Sequence, residues 1–261
     1  MRLAAILCAL CFLCGSNRLR AVDSIPTVLS QRGGLIVDDD GRLDRVKPRR
    51  GLFDNGVVVR AWAGKWEKTS FGWRSTWKPG MGHTPVMNFS GFRENNLIVE
   101  VTFRYGVKTE PWHDQCFRIA LDDRPKLTGH ILSAWANVNN DFIDTGFLLQ
   151  HIHKTEDKKI LKNVHFDRQP LQVEPNRWYT AIVEMVGDEA LFRMGDHVAY
   201  ARSDEIGASK NLISLTLGKT WHEVKRVRIW KALPNPDWKK NKATLLKTRV
   251  EFVPEDRTPK E

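Results

Sequence analysis

From Val57 onward, apolar and polar positions alternate with a period of two. In Leu97-Ile98-Val99-Glu100-Val101-Thr102-Phe103-Arg104, the residues Leu97, Val99, Val101 and Phe103 share one face. Ile98, Glu100, Thr102 and Arg104 take the other, the pattern of a half-buried strand. Trp178–Val186 repeats the theme; Gly187-Asp188 then turns the chain into Leu191–Met194, and Gly195-Asp196 turns it into His197–Tyr200. Strands joined by two-residue turns make a β-meander. Further strands are predicted over Val57–Trp62, Gly72–Trp77, Gln115–Leu121, Gly129–Ala136, Gly146–His151, Leu212–Leu217 and Val224–Trp230. The polar run Lys154–Lys159 reads as a long loop, and Trp238–Leu246 as a short helix or a mobile stretch. Many short strands without intervening helices imply an all-β sandwich or barrel rather than a parallel α/β fold.

The pattern also divides the chain. Arg2, the apolar run Leu3–Leu13 and the small residues Gly15 and Ser16 read as a signal peptide over 1–21, with a cleavage point after Ala21. The run is shorter than the roughly 20 residues a membrane-spanning helix needs. No transmembrane segment is therefore expected after leader removal, and the destination is the exterior, the periplasm or the envelope. A lead-in segment over 22–50 follows, then a sandwich domain over 51–232 and a basic tail over 233–261. Asp38-Asp39-Asp40-Gly41 reads as a solvated turn, since Arg42 and Arg45 interrupt any calcium-loop spacing.

Composition adds three constraints. Cys8, Cys11 and Cys14 lie in the leader, so the mature chain keeps Cys116 and cannot form an internal disulfide. Cys116 sits in an apolar strand and reads as a buried small hydrophobe. Ten Trp and twelve Phe suit both a sandwich core and sugar-stacking surfaces. The formal charge of +10 favours anionic partners, but no nucleic-acid-binding signature accompanies it.

One family pattern is present. Pro175–Glu189, with its Arg177-Trp178-Tyr179 start and Val186-Gly187-Asp188 turn, is followed by Gly195–Tyr200 and then by Val224–Trp230; Leu52-Phe53-Asp54 opens the domain. This succession resembles secreted concanavalin A-like proteins of planctomycete-type bacteria, a group that includes 3-keto-disaccharide hydrolase (DUF1080) and laminin-G-like jelly rolls. It covers roughly residues 51–232. The resemblance implies a concanavalin A-like antiparallel β-sandwich, or jelly roll, and for some relatives an activity on modified sugars. It assigns no catalytic residue, because one fold hosts many functions.

Candidate chemistry is sparse. The Glu-x-Asp-x-x-Glu strand of laminarinase-type hydrolases is absent, which argues against that retaining mechanism. Should the protein be an enzyme, Asp114, Asp122, His151 and His153 are the candidate acid–base or metal groups. His151 and His153 would point the same way on a strand and could share a zinc ion with His165 or His130. No cofactor is predicted, and neither calcium nor zinc has a supporting motif. Trp112 in a polar loop could stack on a sugar, with His113, Asp123 and His130 as further ligand-binding candidates. The expectation is an exported carbohydrate-associated module binding a polysaccharide or anionic glycan. The alternatives are a glycoside hydrolase or lyase acting on a 3-keto sugar, or a structural envelope protein.

Overall fold

The computed structural model describes residues 24–41, 51–106, 115–124, 129–139, 145–154, 161–250 and 252. Along them run β1 (Ser30–Asp39), β2 (Gly51–Leu52), β3 (Val58–Ala63), β4 (Lys65–Thr69), β5 (Gly72–Thr76), β6 (Val86–Glu94), β7 (Leu97–Tyr105) and β8 (Gln115–Asp122). Then come β9 (Gly129–Asn139), β10 (Gly146–Lys154), β11 (Leu161–Gln169), β12 (Trp178–Val186), β13 (Glu189–Met194), β14 (His197–Arg202), β15 (Lys210–Leu217) and β16 (His222–Pro234). One helix, α1 (Trp238–Leu245), follows.

The strands form two antiparallel sheets. Sheet I has the order β14-β13-β12-β7-β16-β5-β4, with β1 also on β16; sheet II has the order β11-β10-β9-β8-β15-β6-β3-β2. Alternation aims Leu97, Val99, Val101 and Phe103 of β7 and Phe117, Ile119 and Leu121 of β8 into one shared core. Two stacked aromatic pairs bridge the sheets: Phe103 on Phe117, with ring centroids 3.7 Å apart, and Phe147 on Phe192, at 4.0 Å. The two hairpin glycines, Gly187 and Gly195, carry φ of 59° and 56°. That is the first central position of a two-residue turn, where a type II′ geometry requires positive φ.

Several expectations change. The lead-in is part of the sandwich, since β1 pairs with β16 from Ser30↔Pro234 to Asp39↔Val227. Asp38 and Asp39 end that strand rather than forming a solvated turn: Asp38 grips Arg226 at 2.7 and 2.8 Å, and Asp39 is buried. The tail is likewise docked, because Trp238 of α1 is buried and donates to Glu189 at 2.9 Å. β4, β6 and β11 went unpredicted. In β6 the alternation breaks at Gly91, whose φ of 91° brings its backbone so close that a Cβ would lie 2.5 Å from the Gly56 carbonyl oxygen. The run Lys154–Lys159 lies outside the described residues beyond Lys154. Cys116 is buried beside Trp135 and Leu148.

Part of the outer face of sheet I is covered by the protein's own chain. Glu100 and Glu184 are buried there. Glu184 accepts the Val28 and Ser30 amides at 3.0 and 2.9 Å, the Ser30 hydroxyl at 2.8 Å and Arg193 at 2.9 Å. Glu100 accepts the Ile25 amide and Arg32, both at 3.0 Å, and also pairs with Arg228. Further along, Lys242 of α1 reaches Glu189 and the Tyr200 hydroxyl at 2.5 Å each.

Two outcomes are expected. Phe103→Ala removes an inter-sheet stack and leaves a cavity, and should cost about 3–5 kcal/mol in urea unfolding. His222 is buried, which pushes it down to about 4 from 6.5, although its contact with the Thr220 carbonyl works the other way. Below pH 6.5 the unfolded chain takes up this proton before the folded protein does. The stability present above 6.5 should therefore drain away between about pH 6.5 and 4, by on the order of 3 kcal/mol. Urea midpoints across that window should fall less steeply in His222→Phe.

Candidate functional site

Outward side chains of sheet II line up across the strands. Arg60 of β3 lies opposite Asn88 of β6, which lies opposite Ser214 of β15. Ser214 is opposite Ala120 of β8, Ala120 opposite Ser133 of β9, and Ser133 opposite Gln150 of β10. Their strand neighbours Met87, Phe89, Ile213, Leu215, Ile119, Leu132, Ala134 and Leu149 point into the core, so this row points out.

An open groove of about 920 Å³ crosses the β3–β6–β15 part of this face, lined among others by Arg60, Trp62, Asn88, Ser90, Arg93, Arg124 and Asn211. Its size sits at the upper end of ordinary ligand sites, about 300–1,000 Å³. Trp62 is 50% exposed, with its ring edge-on to His83 at 4.9 Å. The side-chain oxygen of Asn88 is buried and accepts no hydrogen bond. Asp123 is held by Arg93 at 3.1 Å and by Asn211 at 3.0 Å. Asn211 also bonds both backbone groups of Arg124, at 2.9 and 2.6 Å, which fixes the turn after β8 against β15. Three guanidinium groups thus border the groove, two of them paired outside its lining, Arg93 with Asp123 at 3.1 Å and Arg124 with Asp122 at 4.0 Å.

Beside the groove, one polar chain runs along β8 and β9. His130 Nδ1 lies 2.6 Å from Asp122, and its Nε2 lies 3.3 Å from Arg118. Arg118 donates to the Thr216 hydroxyl at 2.8 Å and stacks over Trp135 at 4.8 Å. Only the neutral imidazole protonated on Nδ1 satisfies both contacts, because Nε2 must accept from Arg118. Burial accordingly lowers the His130 pKa, outweighing the Asp122 hydrogen bond that raises it. Burial also lowers Arg118 to about 10, so it stays charged at neutral pH. The second oxygen of Asp122 is buried and accepts no hydrogen bond, with Arg124 Nε 4.0 Å away. With the His130 lone pair already engaged, the pair offers an acceptor for a hydroxyl more readily than a proton acceptor.

The remaining candidates are scattered. Trp112, His113 and Asp114 lie outside the described residues. His151 is buried, with Nδ1 3.1 Å from the Ile131 carbonyl, next to a register shift between Gln150 and Ile152. His153 belongs to β10, but its side chain also lies outside the described residues. Among the described residues, no three His, Cys, Asp or Glu side chains gather where a metal could be held. Arg60, Asn88 and Arg118 went unnoticed as site residues, and Trp62 and Trp135 were not singled out from the other tryptophans. Of these, Trp62 had a weak signal, as an aromatic near the end of a predicted strand.

No family model and no curated protein matches the sequence. Among solved structures, the CBM2 module of the evolved Dit of Lactobacillus casei BL23 phage J-1 aligns with a TM-score of 0.52 at 12% identity, over 78% of this chain and 98% of that one. The fold is a concanavalin A-like antiparallel β-sandwich. Fainter likenesses reach the carbohydrate binding module CBM66 from Bacillus subtilis (TM-score 0.42, 9% identity, 67% of this chain and 93% of that one). Lactose- and MES-liganded congerin II gives 0.41 and 8%, over 54% and 97%. At these identities, a shared sandwich transfers no residue role.

The Asp122–His130 contact is testable by NMR titration. His130 should titrate below 6.5 in the wild type, and Asp122→Asn should lower it further by weakening the interaction that opposes burial.

Proposed function

We propose that the protein binds a polysaccharide or cell-surface glycan along the outer face of sheet II and does not turn it over. The observation that carries this reading is the groove: an exposed Trp62 ring beside Arg60, over a buried Asn88 oxygen that lacks a donor. A flat aromatic ring packs on the apolar face of a sugar, while fixed amides and guanidinium groups take its hydroxyl or acidic groups. On sheet II the part of the outer face that the groove crosses is open, with Trp62 half exposed. Arg60, Arg93 and Arg124 favour an anionic glycan, such as a sulfated polysaccharide. An exported protein, as the leader implies, would meet such a glycan at the envelope or outside it.

Hydrolysis in the manner of the 3-keto-disaccharide hydrolases has less support. Glycoside cleavage commonly needs two carboxylates facing the same bond. Among the described residues, no carboxylate lines this groove; beside it Asp123 is tied to Arg93 and Asn211, and Asp122 to His130. The neighbouring structures named for carbohydrate binding share the fold alone, so the reading rests on the groove.

A glycan array with product analysis on every bound sugar tests it. Binding without products is expected. Trp62→Ala should weaken it about tenfold, some 1.4 kcal/mol, with an unchanged circular dichroism spectrum. Arg60→Ala should flatten the salt dependence, because one fewer charge is screened. Wild-type affinity in both variants, or no bound glycan, would sink the proposal.

A further inference from the structure

We infer that the protein has a second glycan site on the outer face of sheet I, an open platform of Phe71, Trp178 and Trp221 set with Arg74, Arg104 and Lys225, which takes an acidic sugar, so that one molecule joins two glycan chains. The inference rests on the glycan reading above and adds to it a second point of attachment, on the face opposite the groove.

Strand register builds the platform. Trp178 of β12 lies opposite Arg104 of β7, Arg104 opposite Glu223 of β16, Glu223 opposite Arg74 of β5, and Arg74 opposite Glu67 of β4. Their strand neighbours Phe103, Val224 and Trp73 belong to the core, so this row points out. It crosses β7 further along than Glu100, whose surroundings the segment before β1 covers. The turn between β4 and β5 lays Phe71 beside the row, 51% exposed, with its ring centroid 6.3 Å from that of Trp178. Trp178 and Trp221 are partly exposed as well. Arg104 is held among all three rings, 5.3 Å from Phe71, 4.7 Å from Trp178 and 5.7 Å from Trp221.

Charge selects the ligand. Glu223 is buried and takes both arginines, Arg74 through Nε and Nη2 at 3.0 and 2.7 Å and Arg104 through Nε at 2.6 Å. One carboxylate cannot neutralise two guanidinium groups. Lys225 adds a third cation, 5.8 Å over the Trp178 ring, and pairs with no carboxylate among the described residues. Glu67, at the end of the row, is already paired with Lys65. The Arg74 side chain is 40% exposed, and its Nη1 makes no hydrogen bond among the described residues. Stacking of cations on rings steadies the row by itself, but it uses neither the surplus charge nor the open face of Phe71. A carboxylate or sulfate on a sugar can take the Arg74 edge and Lys225, while the CH groups of its ring lie on Phe71 and Trp178. These groups face solvent, so a sugar approaches without any opening of the fold. Two stacked sheets, about 10 Å apart, separate this platform from the groove. A short oligosaccharide on one face therefore does not reach the other, whereas long chains gain by engaging both.

Calorimetry with a chondroitin sulfate hexasaccharide tests the second site on the full chain. The wild type should bind two equivalents. Trp62→Ala should weaken one of them about tenfold, and Phe71→Ala combined with Lys225→Ala should weaken the other by as much. With the chondroitin sulfate polymer, the wild type should form turbid cross-linked aggregates, and either change should abolish the turbidity while the protein still binds. Should the Phe71 and Lys225 pair fail to fold, Lys225→Gln alone keeps its aliphatic stem on Trp178 and should lose severalfold at the same site. A single equivalent that Trp62→Ala weakens and the sheet I changes leave alone would refute the platform, with the glycan reading still standing. Two equivalents that both survive the sheet I changes would also refute it. A single equivalent weakened by the sheet I changes alone would overturn the groove and the double attachment together. No binding overturns both.

Discussion

The contact between the two sheets governs everything else in this molecule. Phe103 on Phe117 and Phe147 on Phe192 meet face to face across the interface. Each pair joins a strand of sheet I to a strand of sheet II. Once those rings are inside, the period-two alternation leaves no choice about which residues of the same strands face out. Arg118 and Asp122 point outward because Phe117, Ile119 and Leu121 point inward. A slip of one residue in β8 would bury a guanidinium and a carboxylate in an apolar core, at a cost far above that of any surface contact.

Both outward faces carry buried polar groups. On sheet I, buried glutamates are compensated by the segment before β1 and by arginines, and a glutamate near α1 is bonded to the helix. These are charge-assisted bonds, the stronger kind, and they tie distant parts of the chain to one surface. On sheet II, Ser133, Trp135 and Gln150 keep buried polar atoms without a hydrogen-bond partner, and on sheet I the Nε atoms of Arg32 and Arg193 do the same.

Much of the fold was legible in the amino-acid order. β7, β12, β13, β14 and β16 announce themselves through clean alternation and glycine turns. The strands that escaped notice had physical reasons to do so. Gly91 breaks the rhythm of β6, and β11 carries Asn163, His165, Asp167 and Gln169 on alternate positions, with little apolar contrast. β1 holds Gly33 and Gly34 and two register shifts, so its pairing is dictated by β16 rather than by its own pattern. The site was less legible still. Asp122 and His130 were recognisable as residue types, but their contact depends on the β8–β9 pairing. The row from Arg60 to Gln150 draws one residue from each of six strands, and nothing local brings such residues together. Register does.

The pairing of β1 with β16 has a consequence in time. β1 is made first, and its ladder partner among the described strands is made last. The segment ahead of it, anchored by Glu100 and Glu184, likewise waits for β7 and β12. Contacts so distant along the chain carry a high loop-closure cost and make folding slow. Until synthesis nears its end, β1 has no partner strand to settle on, so it joins sheet I late, once the strand it lies against is complete.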